Sequence, residues 1–136
     1  MNEIFKIGRI KYEGPQSKKP FAFKHYDADE IIGGKTMKQQ LKFAMSYWHT
    51  MCGEGTDMFG AGTADKSFGE SEPIEIYRKK AYAAFELMDK LGIEYFCFHD
   101  KDIAPEGGSL AEFQSNLDEI VPIIKEQMKR YGIKLL

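Results

Sequence analysis

Two long segments of the chain place apolar residues three and four positions apart, the spacing that puts them on one face of an α-helix. The first begins at Pro73 and ends before Gly92, and the second follows Ser109 and ends before Gly132. Proline fits the first turn of a helix and glycine the position after its last residue, while Ser109 and Glu112 have the spacing of a capping box. The pattern predicts two amphipathic helices.

Three shorter apolar runs, rich in aromatic and β-branched residues, are typical of buried strands. They occupy residues 43–49, 93–98 and 133–136, and a short helical turn at 35–41 precedes the first run. The alternation of strand and helix predicts an α/β fold with a parallel sheet and right-handed crossovers. An open sandwich and a piece of a (β/α)8 barrel both fit, but a complete barrel needs about 250 residues. Because the last strand is followed by no covering element, we expect the architecture to be cut off.

Two segments of the chain show neither pattern. The first 40 residues combine Lys, Gly, Pro and aromatic side chains, which predicts an irregular arm with one extended piece at 21–26. Residues 52–73 contain five glycines among small and polar side chains and predict a long loop, a feature that is often functional in compact domains. We therefore divide the chain into an N-terminal arm at 1–40 and an incomplete α/β unit at 41–136.

Composition narrows the classes of protein to which the chain can belong. Its 136 residues are 43% hydrophobic and 29% charged, which suits a soluble domain with a buried core. No run approaches the roughly 20 apolar residues of a membrane helix and the start carries no secretory signal, so we expect a cytoplasmic protein without membrane contacts. A net charge of −2 without a basic stripe argues against nucleic-acid binding. Cys52 and Cys97 lack the spacing of a zinc knuckle or a disulfide framework.

The sharpest candidate for chemistry is His99, at the exit of the second predicted strand, where parallel sheets place their ligands. Asp100 and Asp102 follow it, and a carboxylate can hold an imidazole in one tautomer so that the ring donates or accepts a proton reliably. The spacing alone leaves open a functional His–Asp pair or a solvated loop with incidental charges. These side chains alone do not complete a metal coordination shell.

Two aromatic residues beside the Gly-rich loop are candidates for the wall of a binding site. Trp48 lies at the end of the first predicted strand and Phe59 lies within the loop, although single aromatics belong to a core more often than to a site. Gly60 and Gly62 match neither the spacing of a P-loop nor that of a dinucleotide fingerprint, which disfavours phosphate binding.

Six short segments share their order and spacing with one enzyme family. They read IKYEGP at 10–15, FAFKHY at 21–26, IIGGKTMK at 31–38, YWHT at 47–50, GTDMFG at 55–60 and FCFHDKDIAPEG at 96–107. Together they resemble the N-terminal portion of xylose isomerase, in the form with a long extension before its first barrel strand. The resemblance implies a partial (β/α)8 TIM barrel, in which about three parallel strands and two helices at 41–136 follow an irregular N-terminal arm.

The resemblance also implies roles for four residues. His99 would hydrogen-bond the ring oxygen of an aldose and help to open the ring, and Asp102 would orient the His99 imidazole. Trp48 would form a wall of the sugar pocket. Phe59 is similar to the aromatic residue that the family inserts into a neighbouring subunit's site, so a homo-oligomer or a complementing barrel fragment is the expected partner.

The family's reaction converts D-xylose to D-xylulose by a hydride shift, with two divalent cations (Mg, Mn or Co) polarising the substrate oxygens. The resemblance assigns the ligands of these cations to later strands, so it places no metal ligand and no cofactor in this chain. We expect the chain to be an N-terminal fragment of a xylose isomerase-like aldose–ketose isomerase that is inactive alone. The alternative is a non-catalytic module with a barrel-fragment fold that self-associates or complements another fragment.

Overall fold

A three-stranded parallel sheet covered by two long helices follows an arm in the computed structural model, which describes residues 3–136. The strands are β1 (Ile31–Ile32), β2 (Lys35–Thr36), β3 (Ala44–Ser46), β4 (Tyr95–Cys97) and β5 (Lys134–Leu135), and the helices are α1 (Met37–Gln40), α2 (Pro73–Leu91), α3 (Asp100–Ile103) and α4 (Leu110–Tyr131). A π-helical turn, Trp48–Cys52, follows β3. The predicted mixed α/β fold is confirmed.

The sheet has the order β3-β4-β5, and both strand pairs are parallel. Phe96 lies at the centre, opposite Met45 on one side and Leu135 on the other. The predicted first strand is too long, because β3 ends at Ser46 and the chain then enters the π-helical turn. Tyr47, the residue before the turn, and Met51, within the turn, are both buried in the core.

The core lies between the sheet and the helices α2 and α4. Phe96 projects from β4 onto Phe85 of α2, with ring centroids 5.2 Å apart in an edge-to-face contact, and neither side chain is exposed. Small residues at Ala81 and Ala84 let α2 approach closely, since both are fully buried. The apolar stripes of the sequence therefore form the helix faces that cover the sheet.

The ends of the long helices follow their sequence signals with one exception. Gly92 and Gly132 adopt left-handed φ angles of 73° and 69°, which glycine accepts without strain, so both predicted ends are confirmed. The predicted capping box at Ser109 is wrong in one half. The Ser109 hydroxyl accepts the N–H of Glu112, but the Glu112 carboxylate accepts the N–H of Gly108 instead of that of Ser109.

The arm contains a small hairpin that the prediction of an irregular segment overlooked. The strands β1 and β2 pair antiparallel through Gly33 and Gly34, whose φ angles are 61° and 80°. A tight two-residue hairpin requires positive φ at both central residues, which glycine adopts readily. The Gly–Gly pair that follows two isoleucines was therefore a sequence signal for this hairpin. The extended piece predicted at 21–26 contains one bridge, from Tyr12 to Phe23.

Two side chains of α2 hold the start of the arm. Glu86 accepts the main-chain N–H groups of Ile4 and Phe5, both at 2.8 Å. Lys90, whose side chain is 6% exposed, donates to the carbonyl oxygen of Phe5 at 2.6 Å and pairs with Glu3 at 2.8 Å and with Glu86 at 3.2 Å. A helical i, i+4 ion pair thus pins the arm to the outer face of α2.

Candidate active site

The candidate site lies at the carboxyl ends of β3 and β4. His99 follows β4 after one residue, and the next four residues, Asp100–Ile103, form the short helix α3 instead of the solvated loop that the sequence left open. Aspartates in a first turn favour a helix start, since their charge is attracted by the N-terminal end of the helix dipole. The signal for α3 was therefore present in the pair of aspartates, Asp100 and Asp102.

One carboxylate oxygen fixes His99 twice. Oδ2 of Asp102 lies 2.9 Å from Nδ1 of the His99 ring and also accepts the main-chain N–H of His99 at 2.7 Å. The neutral ring facing a carboxylate keeps its proton on Nδ1, which leaves the lone pair of Nε2 free. The structure thus brings together the two residues predicted as a pair.

Burial differs sharply between the members of this pair. The Asp102 side chain is 7% exposed, whereas that of His99 is 60% exposed. The carboxylate is therefore held inside the protein while the imidazole faces outward. A molecule bound at this surface meets Nε2, which can accept a proton and give it back.

Trp48 forms one side of the same surface. Its ring centroid lies 4.6 Å from that of His99, with the two planes inclined by 43°, and it also contacts the His49 ring at 5.6 Å. The first residue of the π-helical turn is Trp48, so this turn brings the indole beside β4. Trp48 does not end the strand as predicted, because β3 stops two residues earlier at Ser46. Its contact with the His99 ring is consistent with the predicted role as a wall of the site.

Phe59 is not part of this cluster. It lies at the tip of a tight turn in which the Asp57 carboxylate accepts the N–H of Phe59 at 2.8 Å, and the residue is 89% exposed. The loop that carries the tip is fixed at its base, because the carbonyl oxygen of Glu54 accepts the N–H groups of Thr63 and Ala64. The loop therefore projects an aromatic ring away from its own chain.

Three further side chains lie beneath the pair, and the sequence reasoning did not identify any of them. The Cys52 thiol donates to the main-chain carbonyl of Asp102 at 3.4 Å, and the Tyr77 hydroxyl lies 3.5 Å from the carbonyl of Lys101. The Tyr47 hydroxyl is fully buried and has no hydrogen-bond partner within residues 3–136. No sequence signal marked them, because Tyr47 and Tyr77 fall in an apolar run and on an apolar stripe, where core packing is the ordinary reading, and Cys52 begins the Gly-rich loop without a partner cysteine.

The surroundings of these three groups disfavour negative charge. Burial raises the pKa of Tyr47, and the neighbouring Cys52, Tyr77 and Asp102 raise it further. Burial also raises the pKa of the Cys52 thiol, although Lys80 opposes this. The pKa of Tyr77 is raised for the same main reason. Cys52 and Tyr77 therefore remain protonated hydrogen-bond donors at neutral pH.

The residues present do not fit the two-cation site that the resemblance implies. Within 3–136, no group of three or more His, Cys, Asp or Glu side chains is close enough together to hold a metal ion.

No helix in the described part of the chain has the length and apolar character to cross a bilayer.

Comparison with known proteins assigns the family. No family model matches the chain. It is 55% identical over 131 residues to a xylose isomerase of Enterococcus faecalis, covering 96% of this chain and 30% of the relative. Xylose isomerases of Listeria welshimeri and Thermoanaerobacterium saccharolyticum are 52% and 46% identical and match 100% of this chain, again across 31% of their own length. The chain thus spans less than a third of these relatives, and over that span it belongs to the xylose isomerase family.

Proposed function

We propose that this chain supplies one wall of the sugar site of an aldose–ketose isomerase that converts D-xylose to D-xylulose. The observation that carries the proposal is the contact of His99 with Asp102 at 2.9 Å beneath an exposed imidazole that Trp48 flanks at 4.6 Å. The family relationship supports the choice of sugar, since the relatives are named xylose isomerases. The three-stranded sheet is then the first part of a (β/α)8 barrel, with its site at the carboxyl ends of the strands.

In this proposal the chain's own residues act on ring opening. The Nε2 lone pair of His99 takes the proton of the anomeric hydroxyl as the carbonyl at C1 forms and the bond between C1 and the ring oxygen breaks. The charged imidazole then hydrogen-bonds the ring oxygen through Nε2–H and gives it that proton. Asp102 keeps the proton on Nδ1 and stabilises the His99 imidazole when it carries a positive charge. The apolar face of Trp48 packs against the sugar carbons. No later step is assigned to these residues.

The isolated chain is therefore expected to be inactive. It spans 30% of the length of the Enterococcus faecalis relative, and the family's cations would be held by residues that the described part of this chain does not supply. Incubation of the purified chain with D-xylose and Mg²⁺ or Mn²⁺ should yield no D-xylulose above a His99→Ala control. Turnover well above that control would contradict this part of the proposal.

A chimaera tests whether the chain contributes to catalysis. In it, this chain replaces the matching segment of the Enterococcus faecalis xylose isomerase, which is 55% identical to it. We expect the chimaera to interconvert D-xylose and D-xylulose and to lose about 100-fold or more of its kcat when His99 is replaced by Gln, as for removal of a general acid–base group. Full activity of the His99→Gln chimaera would refute the assigned role.

The second candidate function is a non-catalytic module that self-associates or complements another fragment. The outer edges of the three-stranded sheet favour it. Within residues 3–136, β3 and β5 each pair with a strand on one side only, and unpaired strand edges favour association. A groove of about 770 Å³, lined in part by Tyr12, Tyr26 and Phe43, lies between the arm and the start of β3. Light scattering showing a stable monomer at micromolar concentration would count against this candidate.

A further inference from the structure

The short helix α3 is the element on which the His99–Asp102 geometry depends. It consists of four residues, Asp100–Ile103, so its last carbonyl groups have no partner within the helix. Asp102 lies in α3 and His99 lies immediately before it. A small rotation of α3 therefore changes the distance between the Asp102 carboxylate and the His99 ring.

Two donors from other elements bind the free carbonyl groups of α3. The Cys52 thiol, at the end of the π-helical turn, lies 3.4 Å from the carbonyl oxygen of Asp102. The Tyr77 hydroxyl, from α2, lies 3.5 Å from that of Lys101. The two acceptors are consecutive residues, so both contacts act on the same end of the helix. Cys52 is also in the same π-helical turn as Trp48, so one turn supplies the wall of the site and a support for its base.

We propose that Cys52 and Tyr77 are positioning residues for the His99–Asp102 pair. They do not touch the sugar in the proposed site; they hold α3 so that Oδ2 of Asp102 stays within hydrogen-bond distance of Nδ1. The consequence for turnover rests on the proposed function, but the effect on the His99 ring does not. Long-range ¹H–¹⁵N spectra of the chain without sugar report which ring nitrogen carries the proton, and His99→Gln identifies the His99 signals.

The variants Cys52→Ala and Tyr77→Phe each remove one donor and change little else. We expect each to raise the ratio of Nε2–H to Nδ1–H tautomer of His99 by about two- to fivefold, the size of effect of one weak hydrogen bond. Cys52→Ser keeps a donor at the same position and should recover most of the wild-type ratio. That recovery separates a hydrogen-bonding role from a packing role.

Two matched controls come from the same region. Cys97→Ala removes the other free thiol, whose sulfur lies 3.9 Å from the carbonyl oxygen of Met45, a residue of β3 and not of α3. Tyr47→Phe removes the buried hydroxyl near Cys52 and Tyr77, which makes no hydrogen bond within residues 3–136. Both should leave the His99 tautomer ratio unchanged.

Asp102→Asn is the positive control and should change the tautomer ratio of His99. If it does so while Cys52→Ala and Tyr77→Phe keep the wild-type ratio, the proposal is overturned. If Cys52→Ala does not fold, the Tyr77→Phe variant, which removes one oxygen from a half-buried ring, decides the result alone. The proposed function fails separately, through the His99→Gln chimaera that keeps its activity. If the chimaera is inactive but Cys52→Ala and Tyr77→Phe still shift the tautomer ratio of His99, the positioning role is retained and the proposed role in the sugar site is not.

Discussion

Oδ2 of Asp102 binds His99 at two points, the ring Nδ1 at 2.9 Å and the main-chain N–H at 2.7 Å. Because both bonds end on one oxygen, the orientation of the ring is tied to the start of α3. The carboxylate is buried while the ring is open to solvent. The pair thus combines a fixed proton on one nitrogen with a free lone pair on the other.

Replacing Asp102 by Asn in the chimaera should lower kcat/KM for D-xylose by about 10- to 100-fold, as is usual for a group that orients a catalytic or ligating histidine. The amide can donate to Nδ1 and so favours the other tautomer. Steady-state kinetics measures the loss. Asp100→Asn is the matched control, since the exposed Asp100 carboxylate accepts the N–H of the neighbouring Lys101, and its kcat/KM should stay within about twofold. Equal losses in both variants would show that the effect is not specific to orientation.

Removal of the Tyr47 hydroxyl should not harm the fold. This hydroxyl is fully buried and lacks a partner in the described part of the chain, and such a group costs about 1–3 kcal/mol when it leaves water. Tyr47→Phe should therefore leave the free energy of unfolding unchanged or raise it by about 1 kcal/mol, as measured by urea denaturation. A loss of more than about 1 kcal/mol would show that the hydroxyl has a stabilising partner.

The helices and the sheet were largely predictable from the sequence, because their patterns are long and their ends are marked. Pro73 and the glycines Gly92 and Gly132 bound two helices whose stripes of apolar residues leave little choice of face. The β3 segment was harder. Its apolar run does not stop where the strand stops, since Trp48 and Met51 are as apolar in a π-helical turn as in a strand.

Only the part of the candidate site whose residue types themselves suggest chemistry was predictable from the sequence. His99 and Asp102 carry chemistry that is recognisable in sequence, and their spacing of three suits a contact across one helical turn. Cys52 and Tyr77 could not be identified in this way. Their role depends on which carbonyl groups they reach at a distance of 24 to 50 positions along the chain, which is a property of tertiary packing.

The core should respond strongly to the loss of a central ring. Phe96 is fully buried at the middle of the sheet and contacts Phe85, so Phe96→Ala should lower the free energy of unfolding by about 3–5 kcal/mol. For a chain of this size such a loss is a large part of the total stability, and we expect a loss of the cooperative thermal transition. Phe21→Ala, at a residue that is 60% exposed, should change stability by less than about 0.5 kcal/mol.

Docking of the arm should depend on pH through Glu86. Burial acts to raise the pKa of Glu86, but the N–H groups of Ile4 and Phe5 and the Lys90 ammonium outweigh it and lower the pKa below the usual 4.5. Because docking lowers this pKa, ionised Glu86 stabilises the docked arm at pH values above the usual pKa of 4.5. This contribution is lost as the pH falls through the lowered value.

Hydrogen exchange at Ile4 and Phe5, corrected for the intrinsic effect of pH, measures this docking. Protection should be constant above about pH 5 and decline towards pH 3. Glu86→Gln should speed exchange of both amides about tenfold at neutral pH and remove the pH dependence. Glu126→Gln, at an exposed position on α4, is the control and should exchange like the wild type. Unchanged protection in Glu86→Gln would mean that the two hydrogen bonds do not hold the arm.

The measurement that bears most directly on the proposed function is the rate of D-xylose isomerisation by the chimaera and its histidine variants. We predict an active chimaera, a loss of about 100-fold or more in kcat for His99→Gln, and no loss for His25→Gln, whose side chain is exposed in the arm. An active chimaera in which His99→Gln and His25→Gln turn over D-xylose at the same rate would contradict the account.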